Sequence, residues 1–177
     1  MALWNSRGLR GSMLEELINI TNDKYRDQKL ALIQKIPTPI TPMEYDKEHA
    51  HITLAYFDKK STVDYIGVVQ GVPVCFDAKE CAVETFSLQN VHEHQVNFMK
   101  DFEAQEGVAF ILIYYKCLDK YYYMRCSELV RFWQRAVEGG RKSIRLEELD
   151  EEYFFKSVSG YYIPFLDMLN KDLASRD

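Results

Sequence analysis

Near the start of the chain, Leu14, Leu17, Ile18, Thr21 and Tyr25 share one face at about 3.6 residues per turn, which predicts an amphipathic helix. Ser12 and Glu15 have the spacing of a capping box, in which each side chain satisfies an orphan backbone donor, so the helix is expected to begin at Ser12. Trp4 to Gly11 before it reads as a loop. Leu30 to Ile36 predicts a strand. Pro37, Pro39 and Pro42 then exclude a helix and a central strand, and about 37–52 is expected to be a long extended excursion. Insertions of this length in a compact domain are functional or disordered. Ile52 to Phe57, Val63 to Val69 and Val72 to Ala78 read as strands, the last two joined by a hairpin at Gly71. His92 to Gln105 predicts a helix with Gln95, Phe98, Met99 and Phe102 on one face. Val108 to Tyr115 and Tyr121 to Met124 are further strands. Ser127 is placed to cap a helix that runs to Glu138 and stops at Gly139 and Gly140. Two short helices are expected around Leu146 to Phe155 and Phe165 to Leu173. This order predicts an α/β fold, a mixed central β-sheet flanked by helices, in one domain over 1–177.

Composition narrows the class. Hydrophobic residues make up 47% and charged residues 28%, which fits a soluble globular protein and excludes wholesale disorder. No apolar run approaches the roughly 20 residues of a membrane span. No apolar stretch follows the first arginines, so a secretory signal is not expected and the cytoplasm is the expected location. Cys75, Cys81, Cys117 and Cys126 lack paired Cys-x-x-Cys spacing and read as reduced, mostly buried thiols. A net charge of −5 argues mildly against a nucleic-acid partner, although total charge says little about one local face.

The chemistry-bearing residues lie on the predicted hairpin. Asp77 and Lys79, two apart on a strand, project to one face while Ala78 points away. The adjacent strand can bring Asp64 to the same place, giving two carboxylates and an ammonium. Magnesium needs only one or two carboxylates besides its waters and a substrate phosphate. Such an ion polarises a scissile phosphate and activates water, and lysine orients that water or stabilises the developing charge. The Ala78 carbonyl is an extra candidate ligand. Alone, the triplet reads more readily as solvated charge at a strand end. Against that reading, Cys75 and Phe76 make the strand look buried, and Glu15 and Gln95 are placed to complete a site. Gln95 reads equally as a buried amide satisfied by backbone partners.

The segments SRGLRGSMLEELINITN (6–22), AYFDKKSTVDYIG (55–67), FDAKE (76–80), LQNVHEHQVNFMK (88–100), AQEGVAF (104–110) and FWQRAVEGGRKSIR (132–145) together resemble the RecU-type Holliday-junction resolvases, which have the PD-(D/E)xK, restriction-endonuclease-like fold. The likeness spans nearly the whole chain. It implies a homodimer that binds branched DNA, a four-way junction, and cuts two opposed strands by metal-dependent hydrolysis that leaves 5′-phosphates, in recombination and repair. It also implies Mg2+, with Mn2+ as a substitute. Asp64 and Asp77 are implied as metal ligands and Lys79 as the catalytic lysine. Glu15 and Gln95 match the family's helix glutamate and active-site glutamine, and Thr62 matches a polar position beside the metal. The proline-rich excursion matches the family's protruding stalk. Asp77 stands where the close family pattern has glutamate, and the stalk here is acidic, with Glu44, Asp46 and Glu48 against Lys47. A recombinase or branch-migration helicase is a further partner to consider. Two alternatives stay open: a junction-binding protein that does not cut, and a related nuclease acting on other branched or linear DNA.

Arg7, Arg10, Lys59, Lys60, Arg141, Lys142 and Arg145 are the candidate phosphate contacts; each reads equally as solvated surface. Close spacing on a helix would put His92 and His94 on different faces, which argues against a zinc site. Lys60-Ser61-Thr62 lacks the glycines of a phosphate loop. Tyr121, Tyr122 and Tyr123 could stack on bases, with strand packing favoured for at least one of them. Phe132 and Trp133 are expected in the core.

Overall fold

The computed structural model describes residues 13–57, 62–159 and 162–176. In chain order the elements are α1 (Met13–Asp27), β1 (Ala31–Lys35), β2 (Ile40–Asp46), β3 (His51–Phe57), β4 (Tyr65–Val69), β5 (Val72–Cys81), β6 (Thr85–Ser87), α2 (Glu93–Glu103), β7 (Val108–Tyr115), β8 (Lys120–Arg125), α3 (Cys126–Val137), β9 (Ser143–Arg145), β10 (Phe154–Phe155) and α4 (Phe165–Ala174). Six strands form one sheet in the order β1-β4-β5-β7-β8-β10. Only β5 and β7 pair in parallel; the other neighbours are antiparallel, so the sheet is mixed as expected.

Helices cover both faces. Tyr25 of α1 packs edge-on against Phe165 of α4 and donates to the carbonyl of Ile163, which locks these two helices into one layer. Under them runs a row of stacked rings across four strands: Tyr65 on Phe76, Phe76 on Phe110, Phe110 on Tyr123. Helices α2 and α3 cover the other face. β7 is therefore apolar on both sides, and seven of its eight residues are buried.

The β4–β5 hairpin turns on Gln70 and Gly71, whose φ values of 47° and 95° are both positive. A two-residue turn of that kind matches the twist of the strands it joins, and it sets Val69 opposite Val72.

Several expectations need correction. Residues 146–155 hold no α-helix. Leu146–Glu148 and Glu151–Tyr153 are single 3-10 turns, and Phe154–Phe155 adds a sixth strand to the sheet. The acidic run over 147–152 holds such turns open through local bonds, as where the Asp150 carboxylate accepts from Glu152 N. Ser127 does not cap α3; Arg125 is the capping residue and the helix starts at Cys126. Ser12 lies outside the described residues. β5 runs on to Cys81, beyond Ala78, because β7 continues to pair with it. Two short strands were not foreseen: β6 pairs with β9 inside the basic run. Nor is the proline-rich excursion without structure. β2 and β3 pair with each other in a separate two-stranded ribbon, irregular around Pro42 and Glu44, and most of its side chains are exposed. Proline survives there because a two-stranded ribbon leaves one edge of each strand unpaired.

All three consecutive tyrosines on β8 pack inside. Tyr121, Tyr122 and Tyr123 are 3%, 0% and 0% exposed, so none is available to stack on a base. β8 is flanked by β7 and β10 and covered on both faces. Phe132 is in the core and Trp133 packs at its margin. All four cysteines are free, and three are buried. Among the described residues, no helix is long and apolar enough to cross a membrane.

Candidate active site

The site forms where two strands part. The β4–β5 ladder ends at the pair Tyr65↔Phe76. The next register position sets Asp64 opposite Asp77, but Asp64 lies before β4 begins and β5 continues there with β7 alone. The freed edge of β5 presents the Ala78 amide, and Asp64 Oδ2 accepts from it at 3.0 Å. The amide of Ile36 fixes the Asp64 backbone from the other side, donating to its carbonyl. Asp64 is thus held by a strand on each side while its carboxylate crosses the gap.

Asp77 is fully buried on the face that α2 covers. Its Oδ1 accepts from Gln95 Nε2 at 3.1 Å. Gln95 is immobilised in turn, because its Oε1 accepts from the His92 amide in the capping box of α2. Gln95 is therefore a buried amide with a backbone partner that also donates to Asp77. The Lys79 ammonium lies 2.5 Å from Asp77 Oδ2, as the two-residue spacing along the strand requires. Oδ2 is closed to solvent, with that ammonium as its near neighbour.

Burial first, and the facing charge of Asp64 second, push the Asp77 carboxyl up to about 7 against the pull of the Lys79 ammonium. Two carboxylates facing each other at one register position, one fully buried, repel, and the single Lys79 ammonium offsets only one of the two charges. This donor set fits a divalent metal. It offers two carboxylates of like charge, one of them fully buried, and hard cations take such oxygen ligands.

Glu15 approaches from the α1 layer. Its carboxylate takes the Lys35 ammonium at 2.7 Å, and its backbone carbonyl accepts from the Tyr65 hydroxyl. Lys35 escaped notice in the sequence, although its place on β1 across from Tyr65 brings it to this edge. Glu80 escaped notice too: it accepts from the Leu14 amide at the start of α1 and pairs with Lys116. Thr62 is half-buried in the bend before Asp64.

The phosphate-contact candidates divide. Arg7, Arg10, Lys59 and Lys60 lie outside the described residues. Arg141 pairs with Glu148, which also holds Arg135, and Arg145 pairs with Glu147. Acidic neighbours thus already offset the charge of both candidate arginines. Lys142 is exposed, and its carbonyl accepts from the Leu88 amide. His92 and His94 were expected on different faces of a helix. Their rings stack instead, because His92 precedes the helix in extended backbone.

A family model described as RecU, Recombination protein U, matches residues 9–171. A Holliday junction resolvase RecU from Pediococcus pentosaceus is 41% identical over 169 residues, covering 93% of this chain and 84% of that protein. Proteins of the same name from Bacillus subtilis and Bacillus cereus are 39% and 40% identical, covering 91% and 90% of this chain and 78% and 84% of their own lengths. With the match running from before α1 into α4, the chain belongs to the RecU family.

Proposed function

We propose that this protein is a Mg2+-dependent endonuclease that resolves four-way DNA junctions as a homodimer in the cytoplasm, its 177 residues forming a single nuclease domain. The observation that carries the reading is the meeting of Asp64, Asp77 and Lys79 at the parting of β4 and β5, in a chain about 40% identical to proteins named Holliday junction resolvase. Asp64 and Asp77, with the Ala78 carbonyl and Thr62, are the residues to hold the ion. Bound there, Mg2+ or Mn2+ would polarise the scissile phosphate and supply activated water.

The protein's own residues do the positioning. Gln95 fixes the rotamer of Asp77, and the Ala78 amide fixes that of Asp64. Lys79 orients the attacking water and stabilises charge on the phosphoryl oxygens. Attack breaks the bond from phosphorus to the 3′ oxygen and leaves a 3′-hydroxyl and a 5′-phosphate. Glu15 and Lys35 flank the site from the opposite layer. The ribbon of β2 and β3 is the projection we assign to the junction centre, and Lys59 and Lys60 remain candidate phosphate contacts.

The test is cleavage of a synthetic four-way junction and of a linear duplex, with Mg2+, Mn2+ or chelator. Wild type should cut the junction in either metal, while Asp77→Ala and Lys79→Ala should bind it and leave it whole. Normal cutting by both variants would overturn the site. Binding without cutting by wild type in either metal would reassign the protein as a non-cleaving junction binder. Indifference to branching would make it a nuclease of other DNA.

A further inference from the structure

We propose that the tip of the β2–β3 ribbon is a second metal site, for zinc or a similar transition-metal ion, held by Asp46, His49 and His51. Asp46 ends β2 and His51 opens β3, and the two are a cross-strand pair. His49 lies in the four-residue turn between them, where Ala50 adopts a left-handed φ of 51°. One ligand atom from each of the three lies within 4.8 Å of the others. Asp46 Oδ2 stands 2.9 Å from His49 Nδ1 and 3.9 Å from His51 Nε2. Ligands of a tetrahedral zinc ion sit roughly 3.3 Å apart, so small rotations would close this set around one.

The carboxylate is already aimed. Asp46 Oδ1 accepts from the backbone amides of Glu48 and His49, at 2.9 and 3.2 Å, which turns Oδ2 to the imidazoles. Two imidazoles and one carboxylate suit zinc, whereas magnesium prefers oxygen ligands, so this site and the Asp64–Asp77 site differ in the metal they select. Both histidines are exposed, leaving a fourth position open to water or to an anion such as a phosphate oxygen. The ion would also offset the acidic excess of Glu44, Asp46 and Glu48 over Lys47. The proposal stands whether or not the nuclease reading holds.

The test is calorimetric titration of the full chain, stripped with chelator and dialysed, with zinc sulfate in excess Mg2+ to occupy the oxygen site. Wild type, His49→Ala, His51→Ala, the double variant, Cys117→Ser and His94→Ala are compared, the last two removing the exposed thiol and one histidine of the other pair. We expect one zinc per chain in wild type, Cys117→Ser and His94→Ala. Affinity should fall at least about tenfold in each of the first two variants, since losing even an outer-shell partner costs that much. Cobalt(II) should give the visible bands of a four- or five-coordinate nitrogen–oxygen site, with no thiolate charge-transfer band. An unchanged affinity in the double variant overturns the proposal, as does loss of binding in Cys117→Ser or His94→Ala, or no zinc uptake by wild type.

Discussion

Replacing Asp77 by asparagine should stabilise the metal-free protein while abolishing its cleavage. Asparagine keeps the shape of aspartate and an oxygen for Gln95 Nε2 to bond, but carries no charge at any pH. In the wild-type fold the Asp77 carboxyl is pushed from its ordinary 3.8 to about 7, by burial first and by Asp64 second. A carboxyl raised on folding contributes stability that is fully present below its unfolded value and is lost as pH rises through the folded one. Without metal, the wild type should therefore weaken between about pH 4 and pH 8. At about 1.4 kcal/mol per pH unit the loss has a ceiling of about 4 kcal/mol, and with Lys79 free to adjust we expect roughly 2–4 kcal/mol.

Urea unfolding in chelator, followed by circular dichroism across that pH range, reads the difference directly. Asp77→Asn and wild type should agree near pH 4 and diverge toward about pH 8, with the variant the more stable. Saturating Mg2+ should then close the gap from the other side, since a ligand at a hundredfold excess over its Kd adds about 2.7 kcal/mol to the form that binds it. If the variant were no more stable than wild type near pH 8 in chelator, the account of Asp77 as a destabilised, metal-awaiting carboxylate would be refuted.

Three further substitutions probe the frame around the site. A Cβ at Gly67 would lie 2.2 Å from the Leu32 carbonyl oxygen and 2.6 Å from Ile33 Cα, so Gly67→Ala should push β1 off β4 and cost about 3 kcal/mol in denaturant unfolding. Tyr123→Phe removes a 3.0 Å bond to the buried Asp172 carboxylate, which keeps Arg176; a loss of roughly 1.5–3 kcal/mol is expected, and no change would mean that the bond adds nothing net. Glu148→Gln frees both Arg135 and Arg141 from their shared partner; binding of linear duplex should tighten and its salt dependence steepen by about one phosphate contact, as read by anisotropy at several salt concentrations.

The sheet was legible because its signals are local. Gln70-Gly71 is a turn with a mechanism, and the unbroken apolar run from Val108 marks a strand buried on both faces. The 3-10 turns after Arg145 were not legible, since acidic residues alternating with apolar ones over 146–155 mimic helical spacing while each turn is set by its own side-chain bond. The β6–β9 pair was hidden for another reason: three-residue strands carry too little periodicity, and their register depends on contacts far apart in sequence. The burial of all three β8 tyrosines was hidden because it requires β10, a strand of two residues. At the site, the residue types and the face shared by Asp77 and Lys79 could be read directly. The partner of Gln95 could not, because it depends on how α2 settles on the sheet.

One part of the site could have been read further. A two-residue turn fixes hairpin register, and counting five residues outward from Val69 and from Val72 arrives at Asp64 and Asp77 together. Continued pairing there would set two carboxylates side by side in a closed ladder, where like charges oppose each other. Instead β4 begins one residue later, and Asp64 spends one of its oxygens on the amide that the missing ladder leaves free. The parting of the strands and the meeting of the acids thus fall at one register position. In the site proposed above, a divalent cation would relieve the repulsion of two carboxylates that face each other where the ladder ends. The resemblance to the RecU-type resolvases puts glutamate, longer by a methylene, where Asp77 stands. Asp77 is pinned between Gln95 and Lys79, so its carboxylate has one fixed placement.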